Sequence, residues 1–235
     1  MCDACVESGL SRRTLFQGGL GLLAAAALPA AAYAQAAQSP SDTPDAALDK
    51  LMQGNARYIG NDLRERDFSV GRVARTQGQS PFAAILGCAD SRIAPELAFD
   101  QGPGNLFVVR VAGNFVTPDG LASLEYGAAV LGTKVILVLG HSNCGAINAT
   151  IGALQKGNDL PGHIGDLVRA MKPGVEPALK ETGDNLPQRA VIANVRHNVK
   201  TLQESQPILA GMVSSGKLKV VGGVYDLATG KVELV

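Results

Sequence analysis

The sequence lacks an excess of charge of either sign. Its 235 residues include 21 basic and 21 acidic side chains, and neither sign gathers into a long run. Proteins that bind nucleic acid, or that rely on a polybasic segment to bind a membrane surface, carry clustered lysine and arginine. The balanced composition therefore disfavours both functions.

The N-terminus lacks an apolar run long enough to cross a bilayer. The stretch from Gly18 to Ala32 has about 15 residues, whereas a transmembrane helix needs about 20. Arg12 and Arg13 precede it, and the small-residue motif "AYA" ends at Ala34. This pattern predicts a twin-arginine signal peptide over residues 1–34, rather than an uncleaved anchor, and export to the periplasm with membrane contact only during export. Residues 35–43 then form a flexible mature N-terminus.

Cysteine is scarce as well. Of four cysteines, Cys2 and Cys5 lie in the predicted signal peptide, so the mature chain keeps Cys88 and Cys144. In an oxidising compartment two cysteines can form a disulfide. A protein that folds before export can instead bind a metal through its thiolates in the reducing cytosol. Both alternatives are open at this point.

Three continuous apolar runs, at residues 81–87, 106–113 and 134–141, are typical of strands buried on both faces of a parallel sheet. Helical patterns separate the last two and continue after residue 144. Two strands around the turn "DLATG" end the chain. The pattern predicts a single α/β domain over residues 44–235, with a mostly parallel central sheet flanked by helices and an antiparallel C-terminal edge strand.

Residues with metal-binding chemistry follow the first and third apolar runs. Cys88 and Asp90, in "CADSR", come directly after the first run. His141 is the last residue of the third run, and Cys144 follows it in "HSNC". The carboxyl ends of parallel strands meet at one edge, so we expect these side chains to converge. Two thiolates and one imidazole suit zinc and leave a fourth position open. A cysteine phosphatase is disfavoured, because Cys88 and Arg92 are too close in sequence to cradle a phosphate.

The motifs "CADSR" and "HSNCGA" resemble the metal-site motifs of the β-class carbonic anhydrases. The resemblance extends through "GPGNLFVVRVAGN", "SLEYGAAVLG" and "VYDLATGKVELV", and covers the chain from about Leu48 onward. It implies one Zn²⁺ per chain held by Cys88, His141 and Cys144, reversible hydration of CO₂ to bicarbonate, and a homodimer or a dimer of dimers.

The resemblance also implies roles for residues around the metal. A carboxylate–guanidinium dyad acts in catalysis, and its carboxylate becomes the fourth zinc ligand only in a closed state. Other residues bind substrate through an amide, a backbone N–H and an apolar wall. The matching residues are Asp90 and Arg92 for the dyad, and Gln79, Gly145, Phe107 and Tyr126 for substrate. With no Trp in the chain, the Trp-Arg-Tyr bicarbonate pocket that regulates some members is not expected in its usual form.

Two other functions fit the same motifs. One is a hydrolase of CS₂ or COS on the same scaffold, since these substrates are also small, linear and apolar. The other is a non-catalytic module that binds zinc or bicarbonate, with Asp90 permanently in the fourth position. Gln79 argues against the module, because a closed structural site has no use for a substrate donor.

Overall fold

The computed structural model describes residues 43–157 and 160–235. Helices and strands alternate along most of this part of the chain. The helices are α1 (Pro44–Ile59), α2 (Arg72–Arg75), α3 (Pro95–Ala98), α4 (Pro118–Ala129), α5 (Gly145–Lys156), α6 (Ile164–Lys180), α7 (Leu186–Gln203) and α8 (Leu209–Ser214). The strands are β1 (Ala83–Gly87), β2 (Leu106–Arg110), β3 (Val135–His141), β4 (Lys219–Tyr225) and β5 (Val232–Leu234).

The strands form one sheet in the order β2-β1-β3-β4-β5. The first four strands are parallel, and β5 pairs antiparallel with β4 at the edge. The predicted fold class is thereby confirmed. From β1 the chain moves to β2 on one side, and β3 then lies on the other side of β1. The carboxyl ends of β1 and β3 therefore border the crevice where ligands bind in open α/β sheets.

Helices cover both faces of the sheet. On one face, Leu86 and Val138 pack against apolar side chains of α4 to α8. On the other face, Ile85 and Leu137 pack against Leu51 of α1 and its neighbours. Strands β1 and β3 are buried along their whole length, as their continuous apolar runs predict.

Strand β2 differs from this expectation. Leu106 to Val109 are only partly buried and Arg110 is exposed. The reason is position: β2 is the outer strand beside β1, so one of its sides has no neighbouring strand. A continuous apolar run is therefore typical of two kinds of strand: a central strand, and an edge strand that another surface covers.

Helix α7 packs close to the sheet because two strand residues facing it are glycines. A Cβ on Gly140 would lie 2.7 Å from Val195 Cγ2, and a Cβ on Gly222 would lie 2.5 Å from Val195 Cγ1. Both distances are too short for a real contact. Helix α7 can therefore bring buried polar side chains near the end of β3, next to the site described below.

The predicted signal peptide and residues 35–42 lie outside the described residues. Helix α1 begins at Pro44, where Thr43 Oγ1 accepts a hydrogen bond from the N–H of Ala46. Within residues 43–157 and 160–235, no helix combines the length and apolarity that a membrane span needs.

Candidate metal centre and active site

Cys88, His141 and Cys144 converge at the carboxyl ends of β1 and β3. Cys88 directly follows β1, His141 is the last residue of β3, and Cys144 is the N-cap of α5. Their ligand atoms all lie within 4.8 Å of one another, and all three residues are buried. The two Sγ atoms are 4.0 Å apart, about twice the length of a disulfide bond. The structure therefore holds two thiols rather than a disulfide.

The imidazole of His141 is arranged as a ligand. Its Nδ1 lies 2.9 Å from the carbonyl oxygen of Ser142. A carbonyl only accepts hydrogen bonds, so Nδ1 carries a hydrogen, and in the neutral imidazole the lone pair is on Nε2. The buried Nε2 has no hydrogen-bond partner among the described residues. An orphaned buried nitrogen beside two sulfurs is the arrangement that a bound cation would satisfy.

The pKa values of the two thiols are shifted in opposite directions. The pKa of Cys88 falls from its usual 9.0 to about 4, mainly because of its hydrogen bond with Cys144. Burial alone would raise this pKa. That same hydrogen bond, with burial, raises the pKa of Cys144. The two buried sulfurs are thus in hydrogen-bond contact with each other. Two sulfurs and one imidazole form the donor set that zinc prefers, so the residues present fit this metal.

Asp90 and Arg92 form a bidentate ion pair beside the three donors. Arg92 Nε lies 2.9 Å from Asp90 Oδ1, and Nη2 lies 2.7 Å from Oδ2. These hydrogen bonds hold the pKa of Asp90 well below its usual 3.8. Asp90 Oδ2 is also 3.8 Å from His141 Nε2. The carboxylate is therefore ionised, fixed by Arg92, and directed toward the space that the donors surround.

Arg110, which sequence reasoning missed, holds the loop that carries Cys88 and Asp90. Its guanidinium donates to three backbone carbonyls: Nε to Cys88 at 2.9 Å, and Nη2 to Asp90 at 2.7 Å and to Ile93 at 3.0 Å. The available signal was a charged residue at the end of an otherwise apolar run. Arg110 thus fixes the backbone on which a ligand and the dyad carboxylate are mounted.

The residues expected to bind substrate occupy different surroundings. Gly145 begins α5 directly after Cys144, and a Cβ there would meet open space. The rings of Phe107 and Tyr126 are neighbours, with centroids 6.4 Å apart, and Tyr126 is 48% exposed. Gln79 is exposed in the segment before β1. Within the described residues, no hydrogen bond joins Gln79 to the three donors.

Comparison with known proteins decides the family. The family model for carbonic anhydrase matches residues 83–232, a range that contains all three donors and the dyad. A carbonic anhydrase of Mycolicibacterium smegmatis is 38% identical over 196 residues, which cover 83% of this chain and 95% of its own. The chain belongs to the β-class carbonic anhydrases. Carbonic anhydrase 2 of Mycobacterium tuberculosis is 36% identical over 199 residues, covering 83% of this chain and 94% of its own.

Solved structures agree with this assignment. The β-carbonic anhydrase of Coccomyxa, solved with acetazolamide, has a TM-score of 0.63 and 29% identity, covering 80% of this chain and 86% of its own. A tetrameric β-carbonic anhydrase of Sordaria macrospora has a TM-score of 0.62 and 25% identity, covering 70% and 86% respectively. In this carbonic anhydrase, the fold brings Cys88, His141 and Cys144 together at the carboxyl ends of β1 and β3, with Asp90 beside them.

Proposed function

We propose that this chain catalyses the reversible hydration of CO₂ to bicarbonate and a proton, with one zinc ion held by Cys88, His141 and Cys144. The observation that carries the proposal is the convergence of three donor atoms within 4.8 Å, including a buried Nε2 without a partner. Zinc would supply a Lewis acid that makes water a nucleophile near neutral pH.

Asp90 orients the attacking oxygen in this proposal. An ionised carboxylate only accepts hydrogen bonds, so Asp90 selects an oxygen that carries a hydrogen and directs a lone pair of that oxygen toward CO₂. Arg92 keeps the carboxylate in place through two hydrogen bonds. Each carboxylate oxygen of Asp90 accepts one hydrogen bond from Arg92 and keeps a second lone pair, so Asp90 can still accept a hydrogen bond. This favours the open state of the site over one in which Asp90 is a metal ligand.

The substrate pocket is proposed to combine an apolar wall with polar donors. Phe107 and Tyr126 provide apolar surface for CO₂. Gly145 is an exposed residue at the start of α5, and its backbone N–H suits the negative charge that develops on bicarbonate. Gln79 is assigned as a further donor to substrate. Because Gln79 lies in an exposed segment, this role depends on the segment being placed by assembly of subunits.

Assembly as a homodimer or a dimer of dimers is proposed on the exposed apolar surface. Strand β2 is a partly buried edge, and the nearby side chains of Tyr126 and Val130 are exposed. The segment before β1 also exposes Phe68 and Val73. Such surface is typical of subunit interfaces. Light scattering on the purified protein tests this proposal, and a monomer at micromolar concentration would contradict it.

Export to the periplasm is proposed on the sequence of residues 1–34. Replacement of Arg12 and Arg13 by Lys should leave the full-length protein in the cytoplasm, since the twin-arginine signal depends on both. Fractionation and N-terminal sequencing of the mature protein test this, with Gln35 as the expected first residue. An unchanged periplasmic level in the double variant would contradict it.

The activity itself is tested by stopped-flow CO₂ hydration on protein of measured zinc content. The proposal predicts activity that rises with pH between about 6.5 and about 9, as the attacking water loses its proton. Zinc-loaded protein that is inactive at every pH would overturn the proposal in favour of a binding module. Turnover of CS₂ or COS without turnover of CO₂ would overturn it in favour of a hydrolase.

A further inference from the structure

A chain of buried hydrogen bonds connects helix α7 to the sulfur of Cys88. Asn194 Nδ2 donates to the carbonyl oxygen of Gly113 at 2.9 Å. The N–H of Gly113 donates in turn to Cys88 Sγ at 3.2 Å. Both hydrogen bonds are buried, and they join residues far apart in sequence. Gly113 is therefore held on one side by α7 and bonded on the other side to a proposed metal ligand.

Gly113 occupies a position that only glycine fits. Its φ is +88°, and a Cβ there would lie 2.2 Å from Met171 Sδ. The next residue, Asn114, donates its N–H to the carbonyl of Val111 at 2.9 Å, which closes a tight turn after β2. The turn brings the Gly113 N–H to Cys88, but Gly113 itself has no side chain to keep it there.

Asn198 fixes the orientation of the Asn194 amide. Asn198 Nδ2 lies 3.2 Å from Asn194 Oδ1 and 2.8 Å from the Asn194 carbonyl. Since Oδ1 of Asn194 accepts from Asn198, its Nδ2 is the atom left to face Gly113. Asn198 Oδ1 accepts from the N–H of Val116 at 2.8 Å. The two amides thus hold residues 113–116 at two points, the carbonyl of Gly113 and the N–H of Val116.

The backbone packing around Asn194 leaves its amide little freedom. A Cβ on Gly174 of α6 would lie 2.7 Å from Asn194 Oδ1 and 3.0 Å from Asn194 Cα. Because α6 and α7 approach closely at Gly174, the position of Asn194 relative to the sheet is fixed. Asn194 and Asn198 are 1% and 3% exposed, so water does not compete for their hydrogen bonds.

We propose that Asn194 and Asn198 are positioning residues of the metal centre: they hold Gly113 so that its N–H donates to the Cys88 sulfur and limits the charge this sulfur gives to a bound metal. The inference rests on the proposed function in that a metal binds at Cys88. A hydrogen bond to a thiolate draws electron density away from the metal, and such outer partners tune both affinity and reactivity.

Cobalt(II) substitution tests the proposal, because the sulfur-to-cobalt charge-transfer band reports the charge on the sulfur directly. In Asn194→Ala we expect this band to move to longer wavelength than in the wild type, because the sulfur then gives more charge to the metal. We also expect zinc to bind about 10- to 100-fold more weakly, because Gly113 and the Cys88 sulfur are no longer held in position. Asn198→Ala should move both in the same direction. This second variant keeps the test valid if Asn194→Ala does not fold, since it leaves the Asn194 side chain present.

Asn55→Ala is the matched control. Asn55 is a buried amide on the other face of the sheet, where it bonds the carbonyls of Ala98 and Gly230 and the N–H of Val232. Its loss should lower the urea midpoint but leave the cobalt band and the zinc affinity unchanged. An unchanged band and affinity in both α7 variants, or an equal shift in Asn55→Ala, would overturn the positioning role. Wild-type protein that binds neither metal would instead overturn the proposed function.

Discussion

Replacement of Arg110 tests whether the metal-site loop is held by a single guanidinium. Arg110→Met removes three hydrogen bonds, to the carbonyls of Cys88, Asp90 and Ile93, while keeping most of the side-chain length. Arg110→Lys keeps the positive charge but loses the planar fork that reaches several carbonyls at once. We therefore expect both variants to loosen the loop, and Met to do so more than Lys.

The magnitude follows from the number and exposure of these hydrogen bonds. A charged donor contributes about 1.5 to 3 kcal/mol per hydrogen bond, so three give an upper bound of about 4.5 to 9 kcal/mol. Arg110 is exposed at the end of β2, so water replaces part of each bond when the guanidinium is lost. We expect the free energy of unfolding to fall by about 1 to 3 kcal/mol in Arg110→Met.

Urea unfolding, zinc content and CO₂ hydration measured on the same preparations provide the assay. Arg110→Met should lose turnover beyond any loss of zinc, because Asp90 moves with the loop. Arg169→Met is the control, since Arg169 makes an exposed surface pair with Asp166 and such pairs contribute at most about 1 kcal/mol. If Arg110→Met matched the control in both stability and turnover, the loop would not depend on Arg110.

Three other substitutions test separate parts of the structure. Asp90→Asn should lower turnover by about 100-fold through loss of orientation while zinc content stays near one per chain; unchanged turnover removes Asp90 from the mechanism. Gly140→Ala places a Cβ 2.7 Å from Val195 and should cost about 1 to 3 kcal/mol in urea unfolding, and a neutral result would contradict the close packing of α7. Asp100 is buried, which opposes ionisation, but hydrogen bonds led by the one from Arg66 lower its pKa below 3.8. The ionised Asp100 therefore stabilises the fold above pH 3.8, and this stabilisation is lost as the pH falls. The difference in unfolding free energy between wild type and Asp100→Asn should shrink in acid, and a constant difference would contradict this.

The sheet could be predicted from sequence because its signals are local. The apolar runs at 81–87 and 134–141 are long enough to indicate buried strands, and both are strands in the structure. Helix α6 could not be predicted in the same way. It contains Pro173 and Pro177, which locally indicate a helix end. Burial of its apolar side chains in the core, including Met171, overrides that preference.

The metal donors could be predicted because strand ends meet at one edge, whatever the details of packing. The hydrogen bonds that Arg110, Asn194 and Asn198 make around the donors could not be predicted, since they join residues distant in sequence. Nothing near Gly113 in the chain shows that Asn194 reaches it. The signal present was a pair of asparagines, Asn194 and Asn198, spaced one helical turn apart within the helical patterns that follow residue 144. Buried amides at that spacing indicate a specific polar contact.

X-ray absorption at the zinc edge of the purified wild-type protein tests the central claim most directly. The account predicts two sulfur neighbours at about 2.3 Å, with nitrogen or oxygen neighbours at about 2.0 to 2.1 Å, around one zinc per chain. Cys88→Ser should reduce the sulfur count to one. A first shell without sulfur, or a Cys88–Cys144 disulfide found by mass spectrometry in the same zinc-containing sample, would contradict the account.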